Sequence, residues 1–370
     1  MPEHTGDAEL DARLVDLLDI AGATEDRDQL FEILASAVRL AGDGADRLDL
    51  KITNAALAEM RQAFRVFAPW HRVPKVTIFG SARTLPEDPL YSQTRDLAAA
   101  LAGAGWMVVT GAGPGIMAAG TEGAGPEHSI GVNIRLPFEG PNAFVGDDRK
   151  LVVMKYFFTR KLMLMKESAG FVALPGGFGT LDETYELLTL LQTGKAAPAP
   201  IVLLDVPGGT YWRAWETFIA TEVVGRGLAG PHDLALCRVT DDVATAVDEI
   251  LGFYRNYHSI RWVGPRLVVR MRSEPTLAEL EALNDAFADI CVPPPRSGHA
   301  GRGGIEATAP LPAEVADDDH LELPRLCLRF DRLNHGRLRN LVDALNGLAS
   351  APPLAPPSPD SAHAAGTAFE

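Results

Sequence analysis

Residues 170–195 read GFVALPGGFGTLDETYELLTLLQTGK. A short apolar run, Phe171 to Leu174, stops at Pro175 and a glycine cluster, and a helical segment follows from Thr180. A buried strand, a tight turn and a helix make half of a βαβ unit. The same rhythm extends outward in both directions. VTIFG (76–80), WMVVTG (106–111), IGVNIRL (130–136) and PIVLLD (200–205) are short apolar runs, each followed by a breaker or a charge. Between them lie the helical segments TRDLAAALAGAG (94–105), GIMAAGTEGA (115–124) and FFTRKLMLMKES (157–168). Strands alternating with helices imply right-handed crossovers and a Rossmann-like, doubly wound parallel sheet of the α/β class. This domain is expected over residues 71–258 and closes with the helix VATAVDEILGFYRNY (243–257).

The flanks read differently. Residues 1–70 form an N-terminal helical extension, in which Leu50, Ile52, Leu57, Met60, Phe64 and Phe67 lay an apolar stripe on one helix before Pro74. Residues 259–350 read as a small α/β appendage, with strands RLVVRMR (266–272) and RLCLRF (325–330) and helices near TLAELEALNDAFADI and HGRLRNLVDALNGLA. An insert near 293–318 and the tail 351–370 are rich in Pro, Gly or charge and are expected to be disordered. On the two appendage strands Arg266, Arg270 and Arg272, and Arg325 and Arg329, share strand faces. Solvated faces paired with acids are the simpler reading, and a regulatory anion site is the alternative.

Charge narrows the partners. Asp and Glu outnumber Lys and Arg by 49 to 34, giving a net charge of -15. That balance opposes long-range attraction to nucleic acid or an anionic membrane, so neither is expected as a partner. Hydrophobic residues at 46% and charged residues at 22% suit a globular body. Cys237, Cys291 and Cys327 lack metal-ligand spacing, so no metal and no disulfide framework is expected. The N-terminal stretch lacks a basic, then apolar, leader pattern, and no run is long enough for a bilayer span, which points to the cytoplasm.

In open α/β sheets, ligands bind at the carboxyl ends of the strands. Three glycine-bearing loops fall there: FGSAR with Gly80 and Ser81, TGAGPGIM with Gly113, Gly115 and Met117, and PGGFGT with Gly176, Gly177, Gly179 and Thr180. GxGxG at 111–115 is not the dinucleotide fingerprint, and Arg135 ends the next strand where an acid would hold a ribose. No GxxxxGK[ST] occurs either, which disfavours ATP hydrolysis. The amides of PGGFGT can instead converge on an anion at a helix N-terminus. The same residues support another reading. Thr180 and Glu183 form T-x-x-E, a capping box that needs no ligand. Spacing alone leaves both open. Arg160 and Lys161 follow Phe157 and Phe158 on the preceding helix, where such basic residues commonly face solvent and such aromatics commonly enter a core.

Taken together, FGSAR, TGAGPGIM, FFTRK and PGGFGTLDE resemble the LONELY GUY family, whose hallmark is PGGxGTxxE with an upstream Arg-Lys pair. Every fixed position from Pro175 to Glu183 matches, and the resemblance covers roughly residues 48 to 258. It implies hydrolysis of the N-glycosidic bond of nucleoside 5′-monophosphates, AMP or cytokinin riboside monophosphates, to base and ribose 5-phosphate. It also implies catalytic roles for Arg160 and Glu183, phosphate binding by Gly176, Gly177, Gly179 and Thr180, and nucleotide contacts from Gly80, Ser81, Gly113, Gly115, Met117 and Lys161. No cofactor is implied, and a homodimer or higher homo-oligomer is. Ala112 and Ala118 depart from a frequent glycine and a frequent glutamate in the second loop, and the flanks suggest a larger bacterial member. A molybdenum-cofactor carrier on the same fold and a pyridoxal-dependent decarboxylase are the competing readings.

Overall fold

The computed structural model describes residues 4–135, 148–293 and 304–354. The expected tail from 355 onward lies outside the described residues, as does the 294–303 part of the insert. The chain divides into two compact units, residues 1–61 and 62–370. The first holds helices α1 (Ala8–Ile20) and α2 (Arg27–Arg39) and most of α3 (Arg47–Phe67). Helix α1 starts where the Asp7 carboxylate accepts hydrogen bonds from the Glu9 and Leu10 amides at 2.8 and 3.2 Å.

Among the described residues of the second unit, seven strands form one parallel sheet. They are β1 (Lys75–Phe79), β2 (Met107–Thr110), β3 (Ser129–Ile134), β4 (Leu151–Met154), β5 (Gly170–Ala173), β6 (Ile201–Leu204) and β7 (Arg238–Thr240). Their order is β4-β3-β2-β1-β5-β6-β7, and every pairing is parallel. Helices α4 (Pro89–Gly103), α5 (Ile116–Ala124), α6 (Phe157–Lys166), α7 (Phe178–Gln192), α8 (Tyr211–Phe218) and α9 (Val243–Gly252) connect or follow the strands. Central strands are buried on both faces, as β1 and β5 show at every residue. The winding reverses between β1 and β5, which makes the crevice at their carboxyl ends the topological switch point. The loops bearing Gly80–Ser81 and Pro175–Thr180 flank that crevice.

A second, antiparallel sheet follows in the order β10-β11-β9-β8. Its strands are β8 (Tyr257–Val263), β9 (Arg266–Met271), β10 (Glu306–Ala307) and β11 (Arg325–Leu328), with helices α10 (Leu277–Ala286), α11 (Pro312–Ala316) and α12 (His335–Asn346). One continuous apolar core runs from Val76 and Ile250 through Tyr257 to Leu267, Leu326 and Leu341. Asn346 on α12 clamps the junction, donating to the Phe253 carbonyl at 2.6 Å and accepting from the Asn256 and Tyr257 amides.

Two expectations change here. The part of the insert from 304 to 318, expected to be disordered, forms β10 and α11, with Ile305 and Glu314 buried. A composition rich in Pro and charge did not reveal that Ile305 enters the core and that Glu314 meets arginines. The arginine faces are solvated only in part, with Arg266 exposed. Arg270 and Arg325 are buried, and both donate to Glu314 Oε1 at 2.7 Å, while Arg270 also reaches Asp319. Pairing with acids is what removes these arginines from water.

Candidate active site at the switch point

Backbone hydrogen bonds tie the three glycine loops together. The Ser81 amide donates to the Pro175 carbonyl at 3.3 Å, and the Ile116 amide donates to the Ser81 carbonyl at 3.0 Å. Gly80 is required for packing, since a Cβ there would lie 2.5 Å from the Ile116 side chain. Gly115 has φ of 67°, and its Cβ would strike the Ser81 carbonyl oxygen at 2.3 Å. Met117 folds back over its own loop, 2.6 Å from where a Gly113 Cβ would stand. Ser81 Oγ accepts from the Arg83 amide at 3.1 Å and so also serves the first loop's turn. Ala112 holds the left-handed conformation at φ 52°, its amide donating to Thr110 Oγ1 and its carbonyl accepting from Asn133 Nδ2.

The third loop turns directly into α7. Its N-cap is Gly177, and no side chain caps the helix. The capping box is therefore not formed. Thr180 is already inside the first turn and buried, and Glu183 lies in the second turn. The first amides of α7 have no acceptor within the helix. Nothing lies within 4 Å of a Cβ built on Gly177 or Gly179, and Phe178 between them is 92% exposed. Gly176 is enclosed, with its Cβ position 2.3 Å from Thr180 Oγ1. The expected phosphate-binding residues thus form a loop with an open rim and a packed base.

Arg160 and Glu183 meet across this loop. Helix α6 places Arg160 on its first turns, and the buried guanidinium donates from Nε to the Val132 carbonyl at 2.9 Å and from Nη2 to the Gly111 carbonyl at 3.4 Å. Nη1 stands 4.0 Å from Glu183 Oε1, an ion pair too long for a hydrogen bond. Among the described residues the Glu183 carboxylate takes no hydrogen bond. Burial pushes its pKa up from 4.5 to about 7, while the Arg160 charge lowers it and Asp182 raises it. Burial likewise lowers the Arg160 pKa, with Glu183 opposing. Both groups are desolvated and keep capacity for a third group.

Lys161 is paired with acids of α7. Its Nζ pairs with Asp182 at 2.8 Å and Glu186 at 2.7 Å, binding α6 to α7. Phe157 and Phe158 do not enter the core, since each is 54% exposed. Phe158 stacks with Tyr156 at 5.6 Å. Two contacts had no signal in the sequence. Asn133 supports the second loop, and Tyr211 of α8 donates to the Gly176 carbonyl at 2.8 Å. Each acts on a backbone carbonyl, which carries no residue identity to match.

Residues 114–250 match a protein family described as "Possible lysine decarboxylase". Two cytokinin riboside 5′-monophosphate phosphoribohydrolases of Arabidopsis thaliana are each 36% identical over 109 residues. Over this part of its length the chain is similar to the LONELY GUY family. Each alignment takes in 29% of this chain, and the chain spans about half of the relatives' length, 47% and 48%. A molybdenum cofactor binding protein of the phototrophic bacterium Rippkaea orientalis is similar in structure, with 18% identity, a TM-score of 0.35 and coverage of 48% of this chain and 94% of that one. Among the described residues no helix is long and apolar enough to cross a membrane, and no cluster of three metal-ligating side chains occurs.

Proposed function

We propose that this protein hydrolyses the N-glycosidic bond of nucleoside 5′-monophosphates, AMP or cytokinin riboside monophosphates, releasing the free base and ribose 5-phosphate. The observation that carries the reading is the slack, largely buried Arg160–Glu183 pair beside an open helix N-terminus. The relatives' printed activity points the same way.

In this reading the 5′-phosphate lies on the amides of Gly177 to Thr180, where the helix dipole and unfilled donors favour an anion. The ribose then extends toward Glu183. As the C1′–N bond breaks, its electron pair leaves with the base and positive charge builds on the ribose. The Glu183 carboxylate stabilises that charge and takes a proton from the attacking water, whose oxygen bonds to C1′. The proton is passed to the departing base nitrogen. Arg160, fixed by the carbonyls of Val132 on β3 and Gly111 in the second loop, presents Nη1 to a ribose hydroxyl or the phosphate. Binding energy from the phosphate orients the reacting carbon.

Pyridoxal chemistry fits poorly. A Schiff base needs a neutral amine, whereas Lys161, beside Arg160, sits between two carboxylates whose hydrogen bonds raise its pKa against burial. A homodimer or higher oligomer belongs to the proposal, supported by the exposed Phe157, Phe158 and Phe178 near the site. So does a cytoplasmic location, which the three unpaired cysteines favour. The test is chromatographic detection of free base after incubating the purified full chain with purine, pyrimidine and isopentenyladenosine monophosphates. Release from none of them would overturn the reading.

A further inference from the structure

We propose that Tyr211 is a positioning residue for phosphate recognition, acting through the peptide group that joins Gly176 to Gly177. The proposal rests on the phosphate-site reading above. The Tyr211 hydroxyl donates to the Gly176 carbonyl at 2.8 Å. That carbonyl and the Gly177 N–H belong to one planar unit, and no peptide bond in the described chain is cis. In a trans peptide the two groups point in opposite directions, so holding the oxygen aims the N–H away from Tyr211.

The neighbouring peptide is held in the same way. Pro175 O accepts from the Ser81 amide, which fixes the direction of the Gly176 N–H. Two consecutive glycines would otherwise rotate through many backbone states, and their amides would average over directions. No side chain can restrain them from within. A Cβ on Gly176 would collide with Thr180, and Gly177 faces open space. The restraint therefore comes from outside the loop, from the Ser81 amide on one peptide and from Tyr211 of α8 on the next.

Tyr211 is itself held at both ends. Its amide donates to Asp205 Oδ2 at 2.9 Å, and the ring packs edge-on against Trp212 at 4.8 Å. Asp205 is buried at the end of β6 and also accepts from the Val206 amide at 2.8 Å. Gly209 makes room for it, since a Cβ there would be 2.3 Å from the Asp205 Cγ. The chain of contacts from β6 to the glycine loop is continuous. Burial raises the Tyr211 pKa, which keeps the hydroxyl a donor at neutral pH.

Tyr211→Phe removes only the hydroxyl and keeps the ring on Trp212. Calorimetry with ribose 5-phosphate, AMP and adenosine on the wild type and this variant is the test. The variant should bind ribose 5-phosphate and AMP about three- to tenfold more weakly, the scale of one lost hydrogen bond. Adenosine, which has no phosphate, should bind both proteins alike, and KM for AMP should rise while kcat stays within about twofold. Equal affinity of the two proteins for ribose 5-phosphate would overturn the proposal and leave the hydrolase reading standing. Equal weakening toward AMP and adenosine would also overturn it, because a merely structural residue acts that way. If the wild type binds AMP without releasing base and the variant binds it more weakly, the hydrolase reading falls and the role of Tyr211 stands. A wild type that binds no phosphate compound overturns both.

Discussion

Two buried arginine–glutamate contacts in this protein have opposite designs. In the appendage, Glu314 is fully buried, and its Oε1 accepts from Arg270 and Arg325 at 2.7 Å while its Oε2 accepts from the Leu311 amide at 3.0 Å. At the switch point Glu183 has one arginine at 4.0 Å and no hydrogen bond among the described residues. Glu314 has its charge matched by donors and holds β9, β11 and α11 together. Glu183 has lost much of its water without gaining equivalent partners, which is why burial dominates its pKa. A carboxylate left short of donors inside a fold is a candidate site for a ligand that would supply them, whereas a satisfied one marks a joint.

Removing each carboxylate in turn separates the two designs. Glu183→Gln should lower kcat by about 10²- to 10⁴-fold, the scale of a lost acid–base group, with Tm unchanged or raised. Glu314→Ala should do the reverse. It leaves two buried guanidiniums short of a partner and should cost about 3–5 kcal/mol of stability, read as a fall in denaturant midpoint. Base release per folded molecule should stay near wild type. If the Glu314 variant lost activity while fully folded, or the Glu183 variant only unfolded, the distinction would fail.

A smaller and more graded effect is expected with pH. Between the ordinary carboxyl pKa of 4.5 and about 7, the folded protein holds a proton on Glu183 that the unfolded chain has released. The stability this group contributes is therefore complete below about 4.5 and is lost as pH rises through 7. Activity should move the other way, because the ionised carboxylate is the working form. The acid limb of kcat/KM should bend near pH 7, and Glu183→Gln should abolish the matching slope in unfolding free energy. A limb bending near 4.5 would mean the carboxylate is solvated in the free enzyme.

The smallest effect concerns Ala112, held at φ 52° in the second loop. That conformation costs a non-glycine residue about 1–2 kcal/mol, and a glycine returns about 0.4–1 kcal/mol of it through the freer unfolded chain. Ala112→Gly should thus raise stability by about 1 kcal/mol or less in chemical denaturation. A loss would show that the alanine methyl has packing value exceeding the backbone strain.

The central sheet was legible because its strands are apolar on both faces and end at glycine, proline or a charge. Strands β4 and β7 were not, since LVVM stands only two residues, Lys155 and Tyr156, ahead of α6, and β7 has only three residues. The start of β8 was hidden for a related reason. Tyr257 was read as the end of a helix, but α9 stops at Gly252 and Tyr257 opens a strand. In the appendage, Ile305 and Glu314 sit in a segment whose composition suggests disorder, and only their partners on α10, β9 and β11 give them a place.

By itself the sequence determined that three glycine loops lie at the carboxyl ends of parallel strands, with Arg160 and Glu183 as the charged residues beside them. Local spacing and breaker residues are enough for that. It could not determine whether Glu183 caps a helix or faces a ligand, because T-x-x-E satisfies both. Tertiary structure decided against the cap. Helix α7 begins at Phe178, ahead of Thr180, and α6 brings a buried guanidinium to 4.0 Å from the carboxylate. The physical reason is that desolvation and charge pairing depend on what chain folding places nearby. Arg160 is held by the carbonyls of Gly111 and Val132, and such backbone acceptors leave no mark in the order of side chains.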